Sequence, residues 1–349
     1  MVERRGDAPH LLVRRAVRDE LADVLNEHAS VAARREASLE RPCVLVACSG
    51  GADSLSLAAA LAHEAPRAGI LAGGVSVDHG LQEGSAHRAR AVAAALAGMG
   101  LEPVETVHVR IGRSPAGPEA SARSARYAVL DHAATRHGAD AVFLGHTLED
   151  QAETVLLGLA RGSGARSLAG MATRLGLYRR PLLRLSRGIV RAAVPPGLEP
   201  WEDPHNVDPA YARARVRHRV LPVLEKELGP GITAALARTG ELLRADAEAL
   251  DVLADQALQA ATRPAPGSSP GSAYDIGHLS GLPQAVRWRV LRTAAISAGC
   301  PPTDLTAAHA EAVDKLLTAW HGQKGVDLPG AVRASRRRGV LTFGPLPGS

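Results

Sequence analysis

The sequence predicts an α/β protein whose first domain is built on a doubly wound parallel sheet. One observation is the continuous apolar run CVLVACS, which is typical of a strand buried on both faces. A second is that such runs alternate with helix-forming stretches, which favours parallel strands joined by right-handed crossovers. A third is that three of the runs end in polar or glycine-rich turns. Because ligands bind outside the carboxyl ends of parallel strands, these turns predict one shared crevice.

Local patterns justify each element in order. Residues 11–40 predict a mainly helical start that Pro42 ends. Ser85 predicts a helix N-cap, and Gly100 and Gly138 predict helix ends. The predicted strands are CVLVACS, LAGGVSVDH, EPVETVHVRI and ADAVFLGH, and the helices that follow them are ADSLSLAAALAHEA, SAHRARAVAAALAGMG, PEASARSARYAVLDHAATRHG and LEDQAETVLLGLARG.

The second half of the chain has a different pattern. It is irregular after residue 162 and then contains a long helical segment that begins near residue 231. The stretch TRPAPGSSPGSA predicts a flexible loop or linker because it is rich in proline, glycine and serine. Two further helices and short terminal strands predict a small α+β domain at the C-terminus.

Composition limits the functional classes. The 349 residues carry a formal net charge of +5, and only three are cysteines, with no CxxC pair. The small number of cysteines and their spacing exclude a disulfide scaffold and argue against a zinc or iron–sulfur module. No apolar run reaches the length of a membrane span, and the first ten residues lack the apolar core of a secretion signal, so we expect a cytoplasmic protein.

The hexapeptide SGGADS at 49–54 predicts a phosphate-binding site. Adjacent glycines allow a sharp turn with exposed amides, and the helix that follows directs its positive end at the same place. Ser49 and Ser54 add hydroxyl donors. Asp53 would repel a triphosphate unless a metal cation lies between them, which favours Asp53 as a metal ligand. The alternative is a Ser-Gly turn that merely caps a helix.

The segment GHTLEDQAET predicts a site for an amine. His146 ends a strand and should face the crevice, and Asp150 and Glu153 lie three residues apart on one helix face. A desolvated carboxylate pair would raise one pKa, which suits a base that accepts the proton of the amine. The alternative is a helix start in which Thr147 is the N-cap and Asp150 lies in the first turn.

SGGADS resembles the SGGxDS motif of the PP-loop ATP pyrophosphatases, which split ATP between the α and β phosphates. Four further motifs and one basic segment follow in order and narrow the resemblance to the tRNA(Ile)-lysidine synthetase family. The resemblance implies an adenine nucleotide alpha hydrolase-like fold and ATP-dependent attachment of free L-lysine to the wobble cytidine of a CAU-anticodon isoleucine tRNA. It implies ATP and Mg²⁺ as cofactors. The five segments are VDHGLQ, GHTLEDQAET, RGSG, RPLL and WEDPHNVDPAYARARVRHRVLP.

The resemblance and the residue chemistry together predict the site residues. His146 is expected to contact the adenylated intermediate. Arg126 is expected to stabilise either the adenylate or the tRNA backbone, although it could also be a solvated helix residue. Asp150 and Glu153 are expected to hold and activate lysine. This chain departs from the usual family pattern at Glu149 and Ala214. The expected tRNA contacts are Arg215, Arg217 and Arg219. The expected ATP ligands are Ser49, Gly50, Gly51, Ala52, Asp53, Ser54, Asp78 and His79, although the last two could equally be ordinary turn residues before Gly80.

The predicted domain organisation follows from these assignments. It comprises a helical extension at 1–40, a PP-loop ATPase catalytic domain at 41–222, a helical connector at 223–262 and a small tRNA-recognition domain at 263–349. Two rival functions stay open at this point: another PP-loop tRNA-modifying enzyme such as a thiolase, and a non-catalytic RNA-binding protein with a nucleotide fold. A homodimer is also compatible with the sequence.

Overall fold

The computed structural model describes residues 8–35, 41–78, 84–109, 118–162, 164–263 and 273–346. The chain divides into two compact units, Met1–Arg244 and Ala245–Ser349. The predicted ATP ligand His79 and the linker at 264–272 lie outside the described residues. Among those that are described, no helix has both the length and the apolar character needed to cross a membrane.

The first unit contains a six-stranded sheet. Its strands are β1 (Cys43–Ala47), β2 (Leu71–Asp78), β3 (Val104–His108), β4 (Ala141–Leu144), β5 (Arg174–Leu175) and β6 (Tyr178–Arg179). They lie in the order β3-β2-β1-β4-β6-β5, and every neighbouring pair is parallel except β5 with β6 at the edge. The predicted doubly wound parallel sheet is therefore confirmed.

Helices cover both faces of this sheet, which explains why β1 is apolar throughout. Val44 and Val46 join one core cluster with α1, α2 and α7, whereas Leu45 faces a second cluster with α4. The helices of the first unit are α1 (Pro9–Arg35), α2 (Ala52–Glu64), α3 (Ser85–Gly98), α4 (Pro118–His137), α5 (Leu148–Ala160), α6 (Ala165–Leu168), α7 (Arg187–Ala192), α8 (Ala212–Arg215), α9 (Leu221–Glu227) and the first part of α10 (Ile232–Ala261).

The strand order sets the position of the site. β1 pairs with β2 on one side and with β4 on the other, so the chain changes direction across the sheet between these neighbours. The loops that leave β1 and β4 therefore diverge and leave a crevice at their carboxyl ends.

Two local features differ from a simple reading of the sequence. Ser85 was predicted to be a helix N-cap, but it is the first residue of α3, and Gly84 occupies the cap with a left-handed φ of 79°. Between α8 and α9 the chain forms a π-helical turn at Val216–Val220. Such a turn has wider spacing than an α-helix, so it changes which way the arginines of this segment point.

The second unit is a four-stranded antiparallel sheet with helices packed against it. The strands lie in the order β7-β10-β9-β8, and Tyr274, Leu291 and Phe343 are among the residues of the core. The elements are β7 (Ala273–Asp275), α11 (Ile276–Ser280), α12 (Gln284–Ser297), α13 (Ala307–Thr318), β8 (Val326–Leu328), β9 (Val332–Arg337) and β10 (Val340–Pro345), together with the last part of α10.

Candidate active site

A cleft of about 650 Å³ opens at the carboxyl ends of β1, β2 and β4. Asp53 follows β1, Asp78 ends β2 and His146 follows β4, and all three side chains line this cleft. The described residues of the turns after β1, β2 and β4 therefore share one crevice, as the sequence predicted. The cleft also receives side chains from α4, α7 and the segment that contains Trp201.

The glycine loop after β1 forms one wall. Gly50 has a left-handed φ of 84°, and a Cβ built on it would lie 2.7 Å from Cγ2 of Val92. Gly51 is the N-cap of α2 and has an ordinary φ of −75°, and a Cβ there would meet its neighbours at 3.6 Å or more. The amino end of α2 therefore opens directly onto the cleft, where its free amides favour an anion.

Ser54 braces this loop from inside the first turn of α2. Its hydroxyl donates to the Gly51 carbonyl oxygen at 2.9 Å and accepts from the Ser49 amide at 3.2 Å. The Ser49 and Ser54 hydroxyl oxygens are 3.4 Å apart. Ser54 was expected to present a hydroxyl to phosphate, but in this structure it fixes the backbone that presents the amides.

Asp53 has an unsatisfied carboxylate. Its Oδ1 is buried and has no hydrogen-bond partner among the described residues, and Oδ2 lies 3.6 Å from Nε of Arg187. Burial, reinforced by the nearby Asp150, raises the pKa of Asp53 to about 6, although Arg187 opposes the shift.

This carboxylate suits a magnesium ion shared with phosphates. The described residues contain no group of three or more histidine, cysteine, aspartate or glutamate side chains that could hold a metal. Mg²⁺ commonly binds through one or two carboxylates plus substrate phosphates, so a single orphaned oxygen beside a phosphate loop fits that chemistry.

Asp78 lies at the other side of β1, at the end of β2. Its side chain is buried, and Oδ2 lies 3.0 Å from Nε2 of His108. Asp78 also lines the cleft, as the sequence predicted for a residue that follows a strand of the sheet.

Arg126 and His146 present unpaired nitrogens in the same cleft. Arg126 is half-buried and lines the cleft from α4, and burial lowers its pKa. Arg126 Nε and His146 Nδ1 have no hydrogen-bond partner in the described structure. Burial, with Arg126, Arg180 and Arg213 nearby, lowers the pKa of His146 to about 3, so the imidazole is neutral near pH 7.

Glu153 is fully buried and paired with arginine. Arg217 donates from Nε to Oε1 at 2.7 Å and from Nη2 to Oε2 at 3.0 Å. Arg187 and Arg213 lie 3.7 and 3.8 Å from the same carboxylate. The carboxylate that was predicted to hold an incoming amine therefore already has cationic partners.

Asp150 combines a capping role with two ion pairs. Its Oδ2 accepts from the Thr147 amide at 2.8 Å, and its Oδ1 accepts from Arg187 and Arg217, both at 2.9 Å. Burial alone would raise its pKa, but the arginines, His146 and the Thr147 amide outweigh burial, so the pKa of Asp150 is lowered. The expectation that the carboxylate pair would raise the pKa is therefore wrong for Asp150, because arginines share the site.

Arg187 is the site residue that the sequence did not reveal. It begins α7 within the irregular stretch RLSR, and its guanidinium lies between Asp53 and the acidic pair of Asp150 and Glu153. Its backbone amide donates to Oε2 of Glu149 at 2.8 Å, which gives Glu149 a structural contact in this chain. The one signal in the sequence that could have pointed to Arg187 is its position shortly after the RPLL motif.

The three arginines predicted to contact tRNA lie in different surroundings. Arg217 points inward to Asp150 and Glu153, so its placement does not match an exposed phosphate contact. Arg215 is exposed and donates to the carbonyl oxygens of Pro209 and Ala210. Arg219 is exposed.

The strand order, the glycine loop and the helix that starts there define an ATP-binding fold of the PP-loop class. A family model described as a PP-loop domain matches residues 18–224, and a TilS substrate binding domain matches residues 275–342. A U34-tRNA thiolase from Methanococcus maripaludis, solved with its [4Fe-4S] cluster, has a TM-score of 0.51. It is 22% identical over 66% of this chain and 78% of its own, which supports the fold alone.

Curated relatives narrow the class. A tRNA(Ile)-lysidine synthase of Thermobifida fusca is 61% identical over 85% of this chain and 90% of its own length. One from Streptomyces coelicolor is 57% identical over 86% and 85%, respectively. The chain belongs to the tRNA(Ile)-lysidine synthase family and is a ligase that uses ATP.

Proposed function

We propose that this chain ligates free L-lysine to the wobble cytidine of an isoleucine tRNA with a CAU anticodon, which would change codon reading from AUG to AUA. The observation that carries the proposal is that the phosphate loop and Asp150 line one cleft, and that Arg187 contacts Asp53, Asp150 and the fully buried Glu153. A two-step transfer needs both sites within reach of one base. Family membership supports the choice of substrates.

In the first step the cytidine 2-carbonyl oxygen attacks the α phosphorus of ATP. A P–O bond to pyrophosphate breaks, and the base becomes adenylated. The Ser49–Ser54 loop and the amino end of α2 bind the phosphates through backbone amides, which stabilises the negative charge that develops. Arg126 would contact the adenylate; in support, it lines the cleft and its Nε has no hydrogen-bond partner in the described structure.

Asp53 would hold Mg²⁺ at this step, with Asp78 as a second carboxylate near the nucleotide. Mg²⁺ supplies charge neutralisation to the phosphates when it is bound. Asp53 contributes an oxygen that no other described group uses.

In the second step one lysine ammonium group would first pass a proton to Glu153. The neutral amine then attacks the activated carbon, the bond from that carbon to the adenylate oxygen breaks and AMP leaves. Asp150 and Glu153 would bind and orient the lysine ammonium groups. The lowered pKa of Asp150 keeps it anionic, which suits attraction of a cation better than removal of a proton. The neutral His146 would contact the intermediate through Nδ1.

The tRNA would approach the mouth of this cleft. Exposed Arg215 and Arg219 are suited to phosphate contacts, and the C-terminal domain at 263–349 would add recognition. The anticodon base must leave its stack before reaction. Because free lysine, ATP and tRNA are cytoplasmic substrates, we propose that the enzyme acts in the cytoplasm.

The test is incubation with labelled lysine, ATP and total tRNA, followed by nucleoside analysis. We expect a lysine-containing cytidine in the isoleucine tRNA, and no product with Asp53→Ala. ATP–pyrophosphate exchange with and without tRNA separates the rivals. Adenylation without lysine incorporation would favour another PP-loop modification, and tRNA binding with no adenylation would favour a non-catalytic protein.

A further inference from the structure

The Arg187 guanidinium is shared by the carboxylates of both half-sites. Its Nε lies 3.6 Å from Oδ2 of Asp53 on the phosphate side. On the other side, Nη2 donates to Oδ1 of Asp150 at 2.9 Å, and Nη1 lies 3.7 Å from Oε1 of Glu153. One cation therefore serves two anionic groups that the proposed function assigns to different substrates.

Neither neighbouring arginine has this position. The ion pairs of Arg217 and Arg213 within 4.0 Å reach Asp150 and Glu153 and not Asp53, within the part of the chain that is described. Asp53 in turn forms its ion pair with Arg187 and leaves Oδ1 unsatisfied. Among the described residues, Arg187 is thus the side chain whose ion pairs join Asp53 to the acidic pair.

We propose that Arg187 is a positioning residue that makes the binding of lysine and of magnesium nucleotide mutually antagonistic. The inference rests on the proposed function, because it takes Asp150 and Glu153 as the lysine site. When Asp53 binds a metal cation, its charge is neutralised and the guanidinium is repelled towards Asp150 and Glu153. There it competes with the incoming ammonium group. Lysine at the acidic pair displaces the guanidinium towards Asp53 by the same coupling.

This antagonism would order the two half-reactions. Adenylation proceeds while Arg187 neutralises the acidic pair. Once pyrophosphate has left, an ionised Asp53 would draw the guanidinium back and so remove one of the cations that compete with lysine at Asp150 and Glu153, where Arg217 remains paired. Simple long-range electrostatics predicts the opposite sign, because a magnesium nucleotide carries net negative charge and would attract lysine. The sign of the coupling therefore identifies the mechanism.

The first experiment measures lysine affinity by calorimetry without metal or nucleotide. We expect Arg187→Gln to bind lysine about fivefold more tightly than wild type, since a competing cation is removed. Asp53→Asn should bind it about threefold more weakly, since the guanidinium then stays with the acidic pair. A substitution that only damaged the fold would weaken lysine binding in both variants.

The second experiment repeats the titration with Mg²⁺ and α,β-methylene-ATP, which cannot be cleaved at the reacting bond. Wild-type affinity for lysine should fall about fivefold, and Arg187→Gln should show no fall. Arg187→Lys keeps a cation and should retain the antagonism. Arg184→Gln is the matched control, because Arg184 is exposed, lies three residues away and pairs with Glu241.

The inference is overturned if magnesium nucleotide leaves wild-type lysine affinity unchanged or strengthens it, or if Arg187→Gln keeps the antagonism. Should circular dichroism show that Arg187→Gln is unfolded, the metal-free affinity of Asp53→Asn and the antagonism in Arg187→Lys decide. Wild-type protein that binds no lysine in either titration contradicts the proposed function itself. Lysine incorporation with no antagonism contradicts this inference alone.

Discussion

Asp53 and Asp150 lie in the same cleft and share Arg187, yet their carboxyl groups differ. The Asp53 side chain is 25% exposed and has a raised pKa, whereas the Asp150 side chain is 10% exposed and has a lowered pKa. Burial alone would give the reverse order. Asp150 accepts bonds from a backbone amide and two arginines, whereas Asp53 has one distant guanidinium. Hydrogen-bond donors near Asp150 thus lower its pKa more than desolvation raises it. The Asp53 carboxylate lacks such donors, so it can still bind a cation from solution.

The largest expected effect is loss of adenylation in Asp53→Ala. Removing the carboxylate removes the oxygen that would hold the metal, so ATP–pyrophosphate exchange should fall by at least about 10³-fold. The affinity for tRNA, measured by filter retention, should stay within about twofold of wild type, because exposed arginines and not Asp53 are expected to contact the tRNA phosphates. An exchange rate near that of wild type would show that Asp53 does not hold the metal. The contrast drawn between Asp53 and Asp150 would then have no bearing on catalysis.

Glu153→Gln should separate the two ends of the cleft. The amide keeps the shape of the side chain but loses the charge that would attract the lysine ammonium. Lysine transfer should therefore fall by about 10²-fold while adenylation stays within about threefold. A single-turnover assay with labelled lysine measures transfer, and pyrophosphate exchange measures adenylation. Glu241→Gln, whose partner Arg184 is exposed, serves as the control. Equal losses in both steps would show that the ends are not separate.

Asp53→Asn should stabilise the ligand-free protein at neutral pH. The folded-state pKa of Asp53, about 6, lies above its unfolded value of 3.8, so the stability linked to Asp53 is present below the unfolded value and lost as pH rises through about 6. The variant avoids this loss, and we expect it to gain about 1–2 kcal/mol at pH 7.5 and almost nothing at pH 4. Denaturant unfolding at the two pH values measures the difference. A gain in the free energy of unfolding that is the same at pH 7.5 and at pH 4 would show that the gain comes from packing and not from the ionisation of Asp53.

The smallest expected effect concerns Arg219. Because its side chain is exposed, Arg219→Ala should raise the KM for tRNA about threefold, leave lysine affinity unchanged and reduce the salt dependence of tRNA binding by about one ion. Arg217→Ala should instead disturb lysine binding, because Arg217 lies against Asp150 and Glu153. If the two variants had the same profile, the inward position of Arg217 would have no functional meaning.

The sequence predicted the architecture well because its signals are local and repeated. The continuous apolar strands, the glycine loop and the polar turns after β1, β2 and β4 each follow from short-range chemistry. Parallel strand order then brings the turns together without further information. His146 and Asp150 could be placed in the cleft for this reason.

The charge state of the site could not be predicted in the same way. The lowered pKa of Asp150 depends on Arg187 and Arg217, which are 37 and 67 residues away in sequence. The inward direction of Arg217 also depends on the π-helical turn at Val216–Val220, since the expected α-helical spacing would have grouped the arginines differently. Neither an ion pair across such distances nor a local change of helix type has a signal in one sequence.

Gly50 and Gly51 are identical neighbours in the sequence but impose different restrictions on mutation. A side chain at 50 meets both an unfavourable φ and Val92, so selection for folded protein alone should deplete every substitution there. Alanine at 51 fits the backbone and its surroundings, and only a bound nucleotide would exclude it. A saturation library sorted first for expression and then for activity would therefore lose position 50 in the first sort and position 51 in the second.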